Sequence, residues 1–323
     1  MRTSNMERTA RQPRPQKNIG KLPWKTDFKR NRTLYLIFLP VAAYYIIFHY
    51  LPMGGIVIAF QDFKMNRGVF GSPWVGLENF RDLFTGETFG LVMRNTSMIA
   101  LLNLTLGFIA PIFLALLISE VKLKSYKRAV QTVSYMPFFV AAVVVTYLVK
   151  EFLSASGGIT QLLSMFGLDK QNWVANPNAP VFWLIVCFME IWQGAGYGAI
   201  VYVAAIASIN GDLFEACAID GASRWQRLRR ITLPSILPLV VMMFTLKVGT
   251  IFMTGFDKVL LLYMPSTYDV SDVLYTYTYR MAFGTQMNYG LSAASGLFQS
   301  VIATVLLLTS NYLTKKTTES SLF

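Results

Sequence analysis

The stretch EACAIDGASRWQRLRRITLP, residues Glu215–Pro234, stands between two long apolar runs and is unlike either of them. It contains two carboxylates, one glycine and four arginines. Just before it, Asn210 and Asp212 can accept hydrogen bonds from the free N–H groups of a short helix. Gly221 fits the turn that follows a helix C-terminus, and Ser223 can cap a second helix. The stretch therefore predicts helix, tight turn, helix, with the second helix either ending at the proline or continuing into the next apolar run.

The composition is that of a membrane protein. The chain has 323 residues, of which 54% are hydrophobic and 14% are charged, whereas a soluble domain usually carries about 25% charged residues. Six apolar runs are long enough to cross roughly 30 Å of hydrocarbon as helices. They are Leu34–Phe60, Leu91–Ser119, Val130–Leu153, Val181–Ile206, Pro234–Leu262 and Leu291–Leu313. The sequence thus predicts an all-α polytopic membrane protein with six transmembrane helices.

Basic residues are unevenly distributed between the two sides of such a protein. With the N-terminus inside, 20 of the 29 lysines and arginines lie in the inner segments. Cytoplasmic segments beside spans carry an excess of this kind, so both termini are predicted to be cytoplasmic. Because the net charge of +12 is concentrated beside the spans, we expect contact with membrane lipid rather than with nucleic acid.

The same distribution divides the chain into segments. Residues 1–33 form a basic cytoplasmic tail, residues 34–314 the six-helix membrane domain, and residues 315–323 a short second cytoplasmic tail. Within the membrane domain, residues 208–234 form a cytoplasmic loop that contains the stretch quoted above. The first apolar run is too long for the core of a signal peptide, so we expect an uncleaved first span.

This loop resembles the EAA loop of the permeases of binding-protein-dependent ABC importers. That pattern is Glu-Ala-Ala, three residues, Gly, nine residues, Ile, one residue, Leu-Pro. The matching positions keep the spacing throughout, and they are Glu215-Ala216-Cys217, Gly221, Ile231 and Leu233-Pro234. The one departure is Cys217, a small residue where the second alanine is usual.

Further stretches extend the resemblance to most of the chain after Leu34. They are PWVGLENF at Pro73–Phe80, RNT at Arg94–Thr96, SYMPFF at Ser134–Phe139 and GFDK at Gly255–Lys258. The first two are similar to the carbohydrate-uptake branch of that family. The last two are similar to its oligo- and polysaccharide importers, such as those for alginate or pectin fragments.

The resemblance implies a division of labour among several chains. In that family the loop is a coupling helix seated in a cleft of a separate cytosolic ATPase, and closure of the ATPase on ATP switches the side that the cavity faces. It implies coupling roles for Glu215, Ala216, Asp220 and Gly221, with Glu215 pairing with basic residues of the cleft. The implied partners are a second permease subunit, expected to be a different chain, two ATPase subunits and an extracytoplasmic solute-binding protein. The implied location is the bacterial cytoplasmic membrane.

Neither a catalytic site nor a cofactor site is evident in the sequence. It contains no Gly-x-x-x-x-Gly-Lys-Ser/Thr phosphate loop, so ATP and Mg²⁺ are expected on the partner ATPase and not on this chain. Cys187 and Cys217 suggest neither a disulfide framework nor metal-ligand spacing. We therefore expect a transport subunit rather than an enzyme.

The fourth apolar run carries polar and aromatic groups that a sugar pathway needs. It contains Glu190, Trp192, Gln193 and Tyr197. Glycines at positions 194, 196 and 198 weaken a helix and let backbones approach closely. They indicate tight helix packing, a break that lines a cavity, or both.

Lys247 is the most unusual single residue of the apolar runs. It lies about 13 residues into the fifth run from the inside, or roughly 18–20 Å at helical rise. Glu190 lies about 9 residues into the fourth run from the outside, or roughly 13–15 Å, so their depths nearly coincide. A charge at this depth is costly and is usually paired or functional. Two hypotheses follow: an ion pair between Glu190 and Lys247, or a cavity-facing Lys247 that attracts an acidic sugar.

Two other protein classes fit an apolar chain of this kind. An ion-coupled secondary sugar transporter would use intramembrane acids, for which Glu190 is the clear candidate. A membrane assembly or scaffold protein would use the loop only to bind a partner. The resemblance favours a permease subunit of an ATP-driven importer, which translocates an oligo- or polysaccharide by alternating access driven through the coupling helix.

Overall fold

The structure is almost entirely helical. The computed structural model describes residues 23–253, 255–285 and 287–318. In these residues the α-helices are α1 Trp24–Arg30, α2 Arg32–Tyr45, α3 Leu51–Met53, α4 Gly68–Gly71, α5 Glu78–Thr85, α6 Phe89–Glu120, α7 Lys124–Tyr135, α8 Ala142–Phe152, α9 Gly158–Met165, α10 Ala179–Ala207, α11 Gly211–Ile219, α12 Arg224–Arg227, α13 Leu233–Gly249, α14 Phe256–Leu262, α15 Tyr268–Ser271, α16 Leu274–Phe283 and α17 Tyr289–Thr318. An isolated bridge joins Gln61 to Trp74. Most of the predicted tails 1–33 and 315–323 lies outside the described residues. The predicted all-α fold class is confirmed.

Long apolar helices account for the predicted spans. In the described residues five single helices are long and apolar enough to cross a membrane, and a bent pair supplies a sixth span if its halves count as one. They are Arg32–Phe60, Phe89–Glu120, Ala179–Ala207, Arg224–Gly249, Tyr289–Lys316 and the pair Lys124–Phe139 with Ala142–Phe152. At most 28% of the apolar window of any single helix is buried. The rest of that apolar surface is what a surrounding bilayer would cover.

The chain divides into two compact units, Met1–Gly54 and Gly55–Phe323. In the first unit α1 and α2 bring three aromatic rings together. The ring of Tyr35 lies 5.8 Å from that of Trp24 and 5.1 Å from that of Phe28. The functional residues considered below all lie in the second unit.

The predicted third span, Val130–Leu153, is not one straight helix. α7 passes into a 3₁₀ turn at Met136–Phe139, and α8 begins after two extended residues. The helix axis bends by 97° between the two halves. Pro137 has no N–H group to continue a helical ladder. At the break the side-chain Nε2 of Gln193 donates to the carbonyl oxygen of Val140 at 2.6 Å. Broken backbone at membrane depth is tolerated where a neighbouring helix supplies such a partner.

The predicted fifth span, Pro234–Leu262, ends earlier than expected. Its helix stops at Gly249, a short 3₁₀ turn occupies Ile251–Met253, and α14 follows as a separate helix. Gly255 opens α14 with a φ of +79°, a left-handed conformation that favours glycine. The apolar residues of α14 therefore belong to a separate short helix, and the predicted end of the fifth span at Leu262 is wrong.

At the other end of this span, the second helix of the quoted stretch continues through its proline. A single helix runs from Arg224 to Gly249 and contains a π turn at Leu228–Thr232, just before Pro234. The first span has the same arrangement, with a π turn at Ile46–Tyr50 just before Pro52. A proline inside a helix lacks a donor and clashes with the carbonyl four residues earlier. The wider turn accommodates both effects, so the helix is not interrupted.

The RNT motif at the start of α6 anchors the segment that follows α14. The side chains of Arg94 and Asn95 donate to the carbonyl oxygen of Asp269 at 2.8 and 3.1 Å, and Asn95 also donates to that of Asp272 at 3.0 Å. The hydroxyl of Thr96 accepts from the first backbone N–H of α16 at 2.8 Å. These contacts fix α15 and α16 against the start of the second span.

α10 lies at the centre of the second unit. Phe182, Val186 and Met189 are buried in one apolar cluster with residues of α6, α8 and α14. Ala199 and Tyr202 are buried in a second cluster with residues of α6 and α13. Because lipid is as apolar as these side chains, packing and hydrogen bonds hold such helices together, rather than a hydrophobic driving force. α10 thereby positions the polar groups described next.

Candidate coupling loop and substrate cavity

The loop of residues 208–234 has the local structure that its sequence predicts. The side chain of Asn210 accepts from the backbone N–H of Asp212 at 3.0 Å at the start of α11. Gly221 follows α11 with a φ of +72°. Ser223 and Gln226 form a reciprocal capping box, with hydrogen bonds of 3.3 and 2.8 Å, at the start of α12. Helix, tight turn, helix is confirmed.

α11 leaves most of its side chains exposed. None of them is buried, and Glu215, Ala216 and Asp220 are exposed. Among the described residues neither carboxylate has an ion-pair partner. Two large apolar side chains are also exposed, Leu213 at 49% and Ile219 at 87%. The helix therefore offers acidic and apolar groups that its own chain leaves uncovered.

The glycines of α10 serve both packing and the cavity. A Cβ atom added at Gly196 would collide with the backbone carbonyl of Ser134, at the end of α7. One added at Gly198 would lie 3.2 Å from the ring of Pro111 in α6. At Gly194 it would meet nothing within 4 Å. Two positions thus permit close helix packing, and the third faces open space.

Adding a single methyl group should separate these two roles. We expect Gly196→Ala to destabilise the protein severely, since backbone atoms of α7 cannot move aside without disturbing the break after it. Overpacking of this kind typically costs about 1–3 kcal/mol or more. Gly194→Ala is the matched control and should fold normally. Thermal unfolding of the two purified variants measures this, and equal midpoints would contradict the packing role of Gly196.

A cavity of about 430 Å³ opens beside α10. Three aromatic rings line it, those of Phe138, Phe256 and Tyr275, together with the polar side chains of Gln193 and Glu190. The rings of Phe256 and Tyr275 lie 4.1 Å apart between centroids. Flat rings beside hydrogen-bonding groups suit a ligand that has both apolar and polar surfaces.

The carboxylate of Glu190 is paired, but not with the residue that its depth suggests. Its Oε1 lies 2.6 Å from Nζ of Lys258, and the two side chains are 23% and 9% exposed. The hypothetical ion pair between Glu190 and Lys247 is therefore wrong. The reason is the early end of the fifth span, because α14 then packs against α10 as a separate helix and brings Lys258 to Glu190.

A second cavity, of about 280 Å³, adjoins the first along α10. Lys247 lines it, with Asn103 and Tyr202 among its neighbours. Glu190 and Gly194 line both cavities, so the two meet at this turn of α10. Lys247 thus faces a cavity, as the second hypothesis requires of it.

The remaining predicted pathway residues are placed elsewhere. Trp192 lines a separate, almost wholly apolar groove of about 270 Å³ between α8, α9 and α10. Tyr197 stacks on Phe138 with centroids 3.9 Å apart and planes 6° apart. Neither lines the two cavities described above. Glu190, Gln193 and Lys247 are brought to the cavities, and Trp192 and Tyr197 are not.

Sequence reasoning missed several of the residues that line the first cavity. Phe256, Asp257 and Lys258 open α14, and Tyr275 lies in α16. The signal that could have found three of them is the GFDK stretch, in which a glycine precedes an aromatic ring and two opposite charges. The predicted fifth span included this stretch, so its residues were not considered as part of a cavity.

Comparison with known proteins agrees with this architecture. Residues 107–319 match the family described as the inner membrane component of binding-protein-dependent transport systems, and the chain belongs to that family. Two curated relatives from Bacillus subtilis (strain 168) align over nearly their whole length. Protein LplB is 36% identical over 302 residues, 94% of each chain. The polygalacturonan/rhamnogalacturonan transport system permease protein YteP is 38% identical over 297 residues, 91% of each chain.

Two solved structures share the fold. One is of a bacterial ABC transporter involved in the import of the acidic polysaccharide alginate, with a TM-score of 0.83, 39% identity, and coverage of 91% of this chain and 99% of that one. The other is of a bacterial alginate ABC transporter in complex with an alginate pentasaccharide-bound periplasmic protein, with a TM-score of 0.85, 38% identity, and coverage of 93% and 99%. The chain is accordingly an ABC importer permease, a multi-pass inner-membrane transport component and not an enzyme.

Proposed function

We propose that this permease translocates an oligo- or polysaccharide. The observation that carries the proposal is the cavity of about 430 Å³, in which three aromatic rings stand beside Gln193 and the Glu190–Lys258 pair. The rings can cover the apolar faces of a sugar, while the amide and charged groups hydrogen-bond its hydroxyls. The names of the relatives, which refer to polygalacturonan, rhamnogalacturonan and alginate, support the same substrate class.

The coupling loop supplies the energy for translocation in this proposal. Glu215, Ala216, Asp220 and Gly221 contact the cleft of a cytosolic ATPase, and both termini are cytoplasmic. The uninterrupted helix Arg224–Gly249 supports this role, since its 26 residues connect the loop to the second cavity. A displacement of the loop is transmitted along such a rigid helix over roughly 40 Å, which permits alternating access.

The proposed assembly contains several further chains. They are a second, different permease subunit, two ATPase subunits and an extracytoplasmic solute-binding protein. The solved alginate transporter in complex with a periplasmic protein supports the last of these. ATP and Mg²⁺ bind the ATPase subunits, because this chain has no phosphate loop in its sequence.

Reconstitution tests the proposed function. The chain is purified from its native membrane with the proteins that accompany it and is placed in vesicles. We expect accumulation of alginate or galacturonan oligosaccharides only when ATP is on the ATPase side and the binding protein is on the other. Vesicles that contain the chain alone should accumulate no oligosaccharide when a proton or sodium gradient is imposed. Uptake by the isolated chain on such a gradient would instead identify a secondary transporter.

A further inference from the structure

Glu190 stands at the junction of the two cavities. It lines both of them, as does Gly194 one turn further along α10. A ligand that moves from the first cavity to the second must therefore pass this carboxylate. Whether a counter-charge neutralises Glu190 determines the net charge that the ligand meets there.

Lys258 neutralises Glu190 and also keeps it from pairing with Lys247. The 2.6 Å contact between Glu190 and Lys258 is largely shielded from water, with side chains 23% and 9% exposed. In the part of the chain that the structure describes, Lys247 has no carboxylate within ion-pair distance. Lys247 lines the second cavity, and the one acidic residue beside it there, Glu190, is already paired with Lys258.

An ammonium group left in this way within a span is costly unless something pairs with it. Pairing Glu190 with Lys247 would remove that cost, yet the break before α14 brings a different lysine to Glu190. Because Glu190 pairs with Lys258, the positive charge of Lys247 is available to a ligand.

The first cavity carries the opposite unpaired charge. Asp257 lines it, is exposed, and has no ion-pair partner in the described residues. An anion in the first cavity is therefore repelled by Asp257 and attracted toward Lys247. The electrostatic force on an anion therefore points from the first cavity, beside α14, to the second cavity, beside α13.

We propose that Lys247 determines specificity by receiving the carboxylate of an acidic saccharide in the second cavity. The Glu190–Lys258 pair serves this role by holding Glu190 away from Lys247. The proposal rests on the proposed function, since it names the class of saccharide and the residue that recognises it.

The test compares one oligosaccharide in two forms, a uronate oligomer and the same oligomer with its carboxylates reduced to alcohols. ATP-dependent uptake of each is measured with the complete importer in vesicles at low substrate concentration. We expect Lys247→Gln to slow uptake of the acidic form about tenfold or more, the effect of losing one charged hydrogen bond. Uptake of the reduced form should stay within about twofold. Lys247→Arg should retain the preference for the acidic form.

Lys170→Gln is the matched control, since it removes the same charge from an exposed position between α9 and α10. It should leave both rates unchanged. Equal loss of both substrates in Lys247→Gln, or no loss of either, would overturn the proposal. So would failure of Lys247→Gln to assemble, which would assign Lys247 to a contact with a neighbouring subunit.

The proposed function and this inference fail in different ways. If the unaltered importer takes up neither form with ATP, the saccharide function itself is wrong. If it takes up only the reduced form, the function stands and the role of Lys247 is wrong.

Discussion

Reversing the charge of Glu215 is expected to slow ATP-dependent uptake about a hundredfold while leaving the membrane domain folded. The side chain is exposed and has no ion-pair partner among the described residues, so Glu215→Lys breaks no ion pair within that part of this chain. In the proposed complex the carboxylate is instead buried against basic residues of the ATPase. Losing one partner of a buried interfacial charge pair costs about 2–5 kcal/mol. Uptake should therefore fall by about two orders of magnitude.

Two measurements check this expectation, uptake by vesicles that contain the complete importer and co-purification of the ATPase with the variant chain. Glu120→Lys is the matched control, because it makes the same charge change at an exposed residue at the end of α6. The control should transport and assemble normally. Normal transport by Glu215→Lys would show that the loop does not couple this subunit to ATP.

The local structure of the loop of residues 208–234 was predictable because each of its signals is local. Asn210 caps a helix that starts one residue later, and Ser223 and Gln226 cap each other across three residues. The positive φ of Gly221 can be predicted from a glycine at the end of a helix. Five of the six apolar runs likewise overlap a single helix of spanning length in the described residues.

Hydropathy alone does not locate the two breaks, because it measures composition and not continuity. Five of the seven residues of α14 are apolar, and a hydropathy window averages its Asp257 and Lys258 with them, so the end of the helix at Gly249 does not show there. The bend after Pro137 is completed by Gln193 from another helix. The Glu190–Lys258 pair joins residues 68 apart in sequence. Its formation depends on the breaks, so the wrong partner for Glu190 follows directly from the wrong end of the fifth span.

Removing one partner of that pair is expected to destabilise the protein strongly. Lys258→Met leaves the carboxylate of Glu190 largely buried without a counter-charge, and Glu190→Gln leaves Lys258 in the same condition. Breaking a buried ion pair in this way costs about 3–5 kcal/mol. The double variant Glu190→Gln/Lys258→Met has no uncompensated charge, so it should recover most of the lost stability. Thermal unfolding of the purified variants in a double-mutant cycle measures the coupling.

The pair between Lys64 and Asp62 gives the matched control. Its atoms are 3.0 Å apart, but its side chains are 55% and 52% exposed. Lys64→Met should change the stability by no more than about 0.5 kcal/mol, because water screens an exposed pair and solvates a lone charge. If Lys258→Met is as mild as Lys64→Met, the junction of the two cavities is wet enough to solvate a free carboxylate. Glu190 would then not need Lys258, and nothing would hold it away from Lys247. A large cost for each single variant, with recovery in the double variant, is the result that keeps Lys247 available to a ligand.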